Sequence, residues 1–170
     1  MKKRIYIEIP GQCDRGCENC PSVHSAHPVN AAFYCSLLDD AKEEGFNWVG
    51  FCGVNPIKQP HFLNVLTHSL SIGMKTRVYG SVDIEYLEKV PSHLLCGLQY
   101  TIILTDDMLK GDIQELLERL ALIKKRFSGI MLAVKIAVRD PGDALSNKIR
   151  DAGFPVFLTQ WWFMFRGDTY

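Results

Sequence analysis

The sequence has no excess of charge of either sign and no long hydrophobic run. Its 170 residues hold 19 lysines and arginines against 19 aspartates and glutamates, so no positive field draws in a phosphate backbone. The longest apolar stretch, 129–138, contains Lys135 and is about half of the roughly 20 residues that a membrane span needs. In residues 1–10 the apolar run is interrupted by Glu8 and closed by Pro10, unlike that of a signal peptide. We therefore expect a cytoplasmic protein with no membrane partner, and the charge balance does not indicate nucleic acid.

The sequence also lacks the secretory signal that would make disulfides the natural interpretation of its cysteines. There are six of them: Cys13, Cys17, Cys20, Cys35, Cys52 and Cys96. Without an oxidising compartment, cysteines are more often metal ligands or buried thiols than members of a disulfide framework. The first three lie within eight residues, which favours a metal site in that segment.

Strand-like and helix-like patterns alternate along the whole chain. The patterns predict strands over 4–9, 47–52, 75–79, 98–104, 130–138 and 154–163. They predict helices over 31–44, 61–72, 83–89 and 113–127, and a fifth that Asp143 caps. This order predicts an α/β fold with a parallel sheet and right-handed crossovers, either doubly wound or an open barrel. No repeat or linker divides the sequence, so we expect one domain over 1–170 with no appended C-terminal domain.

The three clustered cysteines directly follow the first predicted strand. Cys13, Cys17 and Cys20 have the spacing C-x3-C-x2-C, which lets one short loop offer three thiolates to a small iron–sulfur cubane, with Gly16 giving the backbone freedom to wrap it. A loop at the carboxyl end of a parallel strand is where such folds place active sites. No fourth cysteine has a matching spacing, and a catalytic metal site keeps an open position whereas an electron carrier has a full ligand set. The fourth iron is therefore expected to bind another ligand.

This spacing, in the loop after a first strand, resembles the radical S-adenosylmethionine superfamily. The resemblance implies a parallel six-stranded partial (βα)6 barrel, open on one side, with a [4Fe-4S] cluster held by the three cysteines. It implies that S-adenosylmethionine chelates the fourth iron, and that an electron donor such as flavodoxin or ferredoxin reduces the cluster. The cofactor's carbon–sulfur bond is then cleaved, and a 5′-deoxyadenosyl radical abstracts hydrogen from a substrate.

A second segment of the sequence resembles a motif of the same superfamily. Its members carry a Gly-Gly-Glu-Pro-like motif after the second strand, whose backbone carbonyls line the amino group of the cofactor. The corresponding stretch here is Gly53-Val54-Asn55-Pro56, which keeps the first glycine and the proline and has Asn55 in place of the acid. The resemblance implies that Gly53, Asn55 and Pro56 contact the cofactor.

Two further residues are expected to contact the cofactor that the resemblance implies. Asn19 stands where the superfamily commonly has an aromatic residue beside the adenine, and here either its amide or another residue would take that place. Arg139, or alternatively Lys135, could pair with the cofactor carboxylate, because a guanidinium or ammonium group suits that anion. The polar residues at the predicted strand ends are Ser81, Thr105, Asp106, Arg139, Asp140 and Gln160.

A structural zinc site is the alternative interpretation of the cysteine segment. Cys17 and Cys20 are followed by His24 and His27, a C-x2-C-x3-H-x2-H run of zinc-compatible ligands that would leave Cys13 unused. The chain would then be a non-catalytic zinc-binding module, and a complete iron–sulfur ligand set would make it an electron carrier. If the cluster forms, the two histidines are loop residues or substrate contacts.

The remaining cysteines and the aromatic C-terminal segment lead to separate expectations. Cys35 and Cys96 are expected to be small buried side chains, and Cys52, just before Gly53, is either a buried side chain or a functional thiol. In 161–165 five large apolar side chains follow one another, and alternation in a last strand cannot bury all of them. Together with an open barrel, this favours a peptide or partner protein as substrate over a small metabolite, and a homodimer through the same surface is the alternative.

Overall fold

The computed structural model describes residues 3–11, 28–105, 112–138 and 143–160. The strands are β1 Lys3–Ile9, β2 Phe46–Gly53, β3 Lys75–Gly80, β4 Leu98–Thr105, β5 Met131–Val138 and β6 Val156–Gln160. The α-helices are α1 Ala31–Glu43, α2 Phe62–Ser71, α3 Ile113–Arg126 and α4 Asp143–Asp151, and short 3-10 segments cover Pro56–Lys58, Glu85–Lys89 and Leu95–Gly97.

The six strands form one sheet in the order β1-β2-β3-β4-β5-β6, and every neighbouring pair is parallel. In a doubly wound sheet the strand order reverses at a switch point, and this order does not reverse. The expected parallel α/β fold, a six-stranded partial barrel open between its first and last strands, is therefore confirmed.

One face of the sheet carries the helices and the core. Alternate strand residues such as Val49, Phe51 and Val78 are fully buried and belong to one apolar cluster with residues of the helices. Phe51 of β2 meets Phe62 of α2 edge-on, with ring centroids 5.2 Å apart, a contact worth about 1 kcal/mol beyond its buried area. A β-strand points successive side chains to opposite faces, so the intervening residues lie on the other side of the sheet. We call this side the inner face; it includes Glu8, Cys52, Arg77, Tyr79, Thr101 and Lys135.

The third predicted helix is wrong in type and extent. Residues 83–89 were expected to form a helix, whereas the chain makes a 3-10 segment over Glu85–Lys89 and a second one over Leu95–Gly97. Pro91 explains the shortness, because proline disfavours the helical conformation in the residue before it. The second helix begins at Phe62 because His61, with φ of 64°, is in the left-handed region.

Two cysteines differ from the expectation that they are buried. Cys96 is exposed, because it lies in the last 3-10 segment, ahead of the buried part of β4, and its Sγ lies 3.3 Å from the carbonyl of His93. Cys35 is partly exposed on the flank of α1, where Leu38 takes the buried position. Within the described ranges, none of the helices is both long and apolar enough to pass through a membrane.

Candidate active site at the carboxyl ends of the strands

The structure describes some of the site residues that the sequence predicts. Gly53, Asn55 and Pro56 are described, whereas the positions of the cysteine segment 12–27, including Asn19, and of Arg139 lie outside the described residues. Over the parts of the chain that the structure describes, no group of three potential metal ligands comes together. The described part of the candidate site consists of the strand ends around the start of the cysteine segment.

The chain leaves β1 towards the cysteine segment directly beside residues 53–56, which we call the Gly53 loop. Ile9 is the register partner of Gly53, and the amide of Val54 donates a hydrogen bond to the carbonyl of Ile9 at 3.1 Å. Gly11, the last described residue before the cysteines, packs against Gln59, whose Nε2 donates to the carbonyl of Val54. A side chain at Gly11 would overlap that of Gln59. The two segments expected to hold cluster and cofactor thus start from adjacent, mutually bonded strand ends.

Gly53 is required by the backbone around it. Its φ is 104°, a conformation that L-residues with a side chain rarely adopt. A Cβ at this position would also collide with the carbonyl oxygen of Ile9 and lie 2.9 Å from its amide nitrogen. The resemblance in sequence implies that Gly53 contacts a cofactor. The described contacts show a second reason for a glycine at this position: it lets β1 and β2 approach each other closely.

Asn55 uses its side-chain amide to join the ends of two strands. Its Nδ2 donates to Ser81 Oγ at 3.2 Å, and its Oδ1 accepts a hydrogen bond from the amide of Ser81 at 3.3 Å. The residue is buried and left-handed, with φ of 41°, a conformation that asparagine tolerates better than most residues. Both ends of the Asn55 amide are thus engaged with Ser81. Pro56 is buried and opens the following 3-10 segment.

A polar network continues from Ser81 to Asp83 and on to two cations. Ser81 Oγ donates to Asp83 Oδ2 at 3.3 Å, and the Asp83 carboxylate accepts from Lys58 Nζ at 2.9 Å and from Arg119 at 2.6 Å. The buried Tyr100 hydroxyl donates to the Ser81 carbonyl at 3.1 Å. Burial alone would raise the pKa of Asp83, but the hydrogen bond and charge of Lys58, the charge of Arg119 and the hydrogen bond from Ser81 together lower it.

This network fixes the ends of β2 and β3 and docks α3 against them. Sequence reasoning found Ser81 as a polar strand-end residue but missed Asp83 and Arg119. These two are 36 residues apart in the chain, and their contact depends on how α3 packs. The carboxylate two residues after Ser81 was the signal that could have drawn attention to the first of them.

Cys52 lies on the inner face, one residue before Gly53. Its thiol is half-buried and donates to the carbonyl of Ile7 at 3.7 Å. Burial and the charge of Glu8 raise the pKa of the thiol, and the charge of Lys135 only partly opposes them. Since the thiolate is the reactive form, a thiol held protonated favours the interpretation of Cys52 as a packed side chain.

A cavity of about 170 Å³ opens on the inner face of the sheet. Its walls are Arg77, Tyr79, Thr101, Lys135 and Phe157. Lys135 is half-buried, and burial lowers the pKa of its ammonium group, with the facing Cys52 raising it in part. Lys135, considered above for the cofactor carboxylate, thus shares this cavity with a second cation.

Comparison with known proteins finds similarity in structure and none in sequence. No protein-family model matches the chain, and no curated protein matches it. SuiB of Streptococcus suis bound to S-adenosylmethionine superposes with a TM-score of 0.72 and 15% identity over 99% of this chain and 41% of that one. SuiB bound to its precursor peptide SuiA gives 0.63 and 14% over 91% of this chain and 39% of that one.

A third SuiB structure gives a TM-score of 0.56 at 13% identity, over 94% of this chain and 49% of that one. The chain thus spans about two-fifths to one-half of the SuiB chains that it matches. The likeness is one of fold: this chain shares the six-stranded parallel partial barrel with SuiB.

Proposed function

We propose that the chain is a radical S-adenosylmethionine enzyme whose [4Fe-4S] cluster is held by Cys13, Cys17 and Cys20. The observation that carries the proposal is that the cysteine segment and the Gly53 loop start side by side in this fold. The C-x3-C-x2-C segment leaves β1 beside the Gly53 loop, in a fold shared over 99% of this chain with a protein solved bound to S-adenosylmethionine.

The donor set fits the cluster. Three thiolates within one short loop match three irons of a cubane and leave the fourth iron to the amino and carboxylate groups of the cofactor. The reduced cluster would supply one electron for cleavage of the carbon–sulfur bond of S-adenosylmethionine, which would yield methionine and a 5′-deoxyadenosyl radical able to abstract hydrogen from a substrate.

The chain's own residues would position the cofactor. The backbone of Gly53, Asn55 and Pro56 would line its amino group, held in place by the Asn55–Ser81 hydrogen bonds. Asn19 and Arg139 would contact the adenine and the carboxylate. An electron donor such as flavodoxin or ferredoxin, in a reducing compartment such as the cytoplasm, would supply the electron.

A peptide or partner protein is the substrate class that we favour. SuiB has been solved bound to a precursor peptide, and the inner face of this chain exposes the large apolar side chains of Tyr6, Met131 and Phe157. A covering peptide would remove this surface from water. A small metabolite, or a second copy of the chain on the same surface, is the alternative.

Anaerobic reconstitution with iron and sulfide tests the proposal. We expect about four irons per chain and a brown colour lost in air, and a change in the electron paramagnetic resonance spectrum of the reduced cluster when S-adenosylmethionine is added. Alanine at Cys13, Cys17 or Cys20 should abolish the cluster, whereas alanine at the exposed Cys96 should leave it intact. Stoichiometric zinc without iron would favour the zinc module, and a spectrum unchanged by the cofactor would favour an electron carrier.

A further inference from the structure

The cavity on the inner face brings together two cations that have no acidic partner among the described residues. Arg77 of β3 and Lys135 of β5 both line it, and both lie 5.9 Å from the ring of Tyr79, which stands between them. Neither forms an ion pair with any carboxylate of the described residues. We propose that this cavity binds an aspartate or glutamate side chain of the peptide substrate. The inference rests on the proposed function, because it names a feature of that substrate.

Arg77 is held ready to bind a carboxylate. Gln99 Oε1 accepts from its Nε at 3.2 Å and from one terminal nitrogen at 2.7 Å, and the hydroxyl of Tyr79 accepts from the other at 3.3 Å. Its guanidinium also lies 5.3 Å from the ring of Trp48. These contacts use three of its five N–H groups and leave one on each terminal nitrogen. A guanidinium with a donor left on each terminal nitrogen can bind a carboxylate through both of its oxygens.

The charge of the inner face favours an anion. By strand alternation the described residues of this face include the cations Arg4, Lys75, Arg77 and Lys135 and the single acid Glu8. Lys135 is half-buried, and burial lowers the pKa of its ammonium group. A carboxylate beside it would favour the charged form again, because an opposite charge at short range offsets the cost of desolvation.

The cavity has the volume to hold one amino-acid side chain but not a whole cofactor. A volume of about 170 Å³ compares with roughly 150 Å³ for an engineered cavity that holds benzene, and with about 300 Å³ or more for sites that enclose drug-sized ligands. Arg77 is the register partner of Gly50, three residues before Gly53, so it lies about 10 Å along the strands from the Gly53 loop. This depth separates the Arg77 end of the cavity from the cofactor position proposed above, whereas Lys135, the register partner of Ile103, lies at the level of the Gly53 loop.

Peptide binding tests the inference without any turnover. Blocked peptides of alternating glycine and glutamate, or glycine and glutamine, carrying an uncharged fluorophore, would be titrated by anisotropy with the anaerobically isolated chain. We expect the glutamate peptide to bind at least about fivefold more tightly at low salt. Arg77→Gln and Lys135→Met should each abolish this preference, and Arg77→Lys should retain only part of it, because the two-pronged contact is lost.

Lys125→Gln is the matched control, since it removes one positive charge from an exposed position of α3. It should keep the preference for glutamate, and circular dichroism would verify that each variant is folded. Equal affinity for the two peptides, or an equal loss in the control variant, would overturn the proposal. So would variants that weaken S-adenosylmethionine binding and leave peptide binding unchanged, because the two cations would then serve the cofactor.

The outcome separates this inference from the proposed function. A chain that cleaves S-adenosylmethionine but binds both peptides equally contradicts the inference alone. A chain that prefers the glutamate peptide through Arg77 and Lys135, but never cleaves the cofactor, supports an acidic-peptide site and contradicts the proposed enzyme.

Discussion

Replacing Gly53 by alanine tests whether the close approach of β1 and β2 fixes the Gly53 loop. The new methyl group meets two costs: the strain of φ at 104° and the collision with the backbone of Ile9. The first cost is about 1 kcal/mol for an L-residue in the left-handed region. The second is about 2 kcal/mol, typical of an overpacked site that must shift its backbone. We expect Gly53→Ala to lower the free energy of unfolding by about 3 kcal/mol.

Gly73→Ala separates the two costs. Gly73 has φ of 74°, but a Cβ there would have nothing within 4 Å, so only the strain remains. This variant should lose about 1 kcal/mol. Both would be measured by urea unfolding under anaerobic conditions, with the midpoint shifting and the slope unchanged. If the two variants lost equal stability, the collision with β1 would have no energetic role and our explanation of Gly53 would be wrong.

Three further predictions concern the network behind the loop. Because the folded pKa of Asp83 is lowered, its carboxylate stabilises the fold above its unfolded pKa, and this stability is lost as the pH falls below about 4. Asp83→Asn should therefore flatten the acid side of a plot of melting temperature against pH, and an unchanged acid side would contradict the role of its ion pairs. Tyr100→Phe should cost about 1–2 kcal/mol in urea unfolding, since the buried carbonyl of Ser81 loses its donor, and a neutral result would mean that water replaces it. Asn55→Ala should cost more than Asn55→Gly, because both lose the bonds to Ser81 but only alanine keeps the strain at φ of 41°, and the reverse order would refute that view.

The fold could be predicted from the sequence because its strands and main helices carry strong local patterns. The apolar run of β5 and the helical spacing of α3 each lie within a single segment, so both can be recognised without knowing which elements pack against them. The 3-10 segment at Glu85–Lys89 was missed because a short helix-like pattern is decided by neighbouring turns. Cys96 was wrongly expected to be buried, since small residues beside a strand give no local signal of exposure.

The parts of the candidate site that a local motif identifies could be predicted from the sequence. The parts that residues distant in the chain form together could not. The position of Gly53 at the end of β2 followed from the motif, but its contact with Ile9 required the strand register. The bonds of Arg77 to Gln99 join neighbouring strands 22 residues apart in the chain. Such pairs depend on register, which sequence patterns alone do not determine for six parallel strands.

The most direct test of the proposed function is the release of 5′-deoxyadenosine by the reconstituted chain. With a strong reductant and S-adenosylmethionine, we predict slow formation of 5′-deoxyadenosine and methionine even without substrate, because the fourth iron is open to the cofactor. The product should be absent from the Cys17→Ala variant and present in Cys96→Ala, and it would be measured by liquid chromatography with mass spectrometry. A chain with about four irons that forms no 5′-deoxyadenosine under these conditions would contradict the proposal that it is a radical S-adenosylmethionine enzyme.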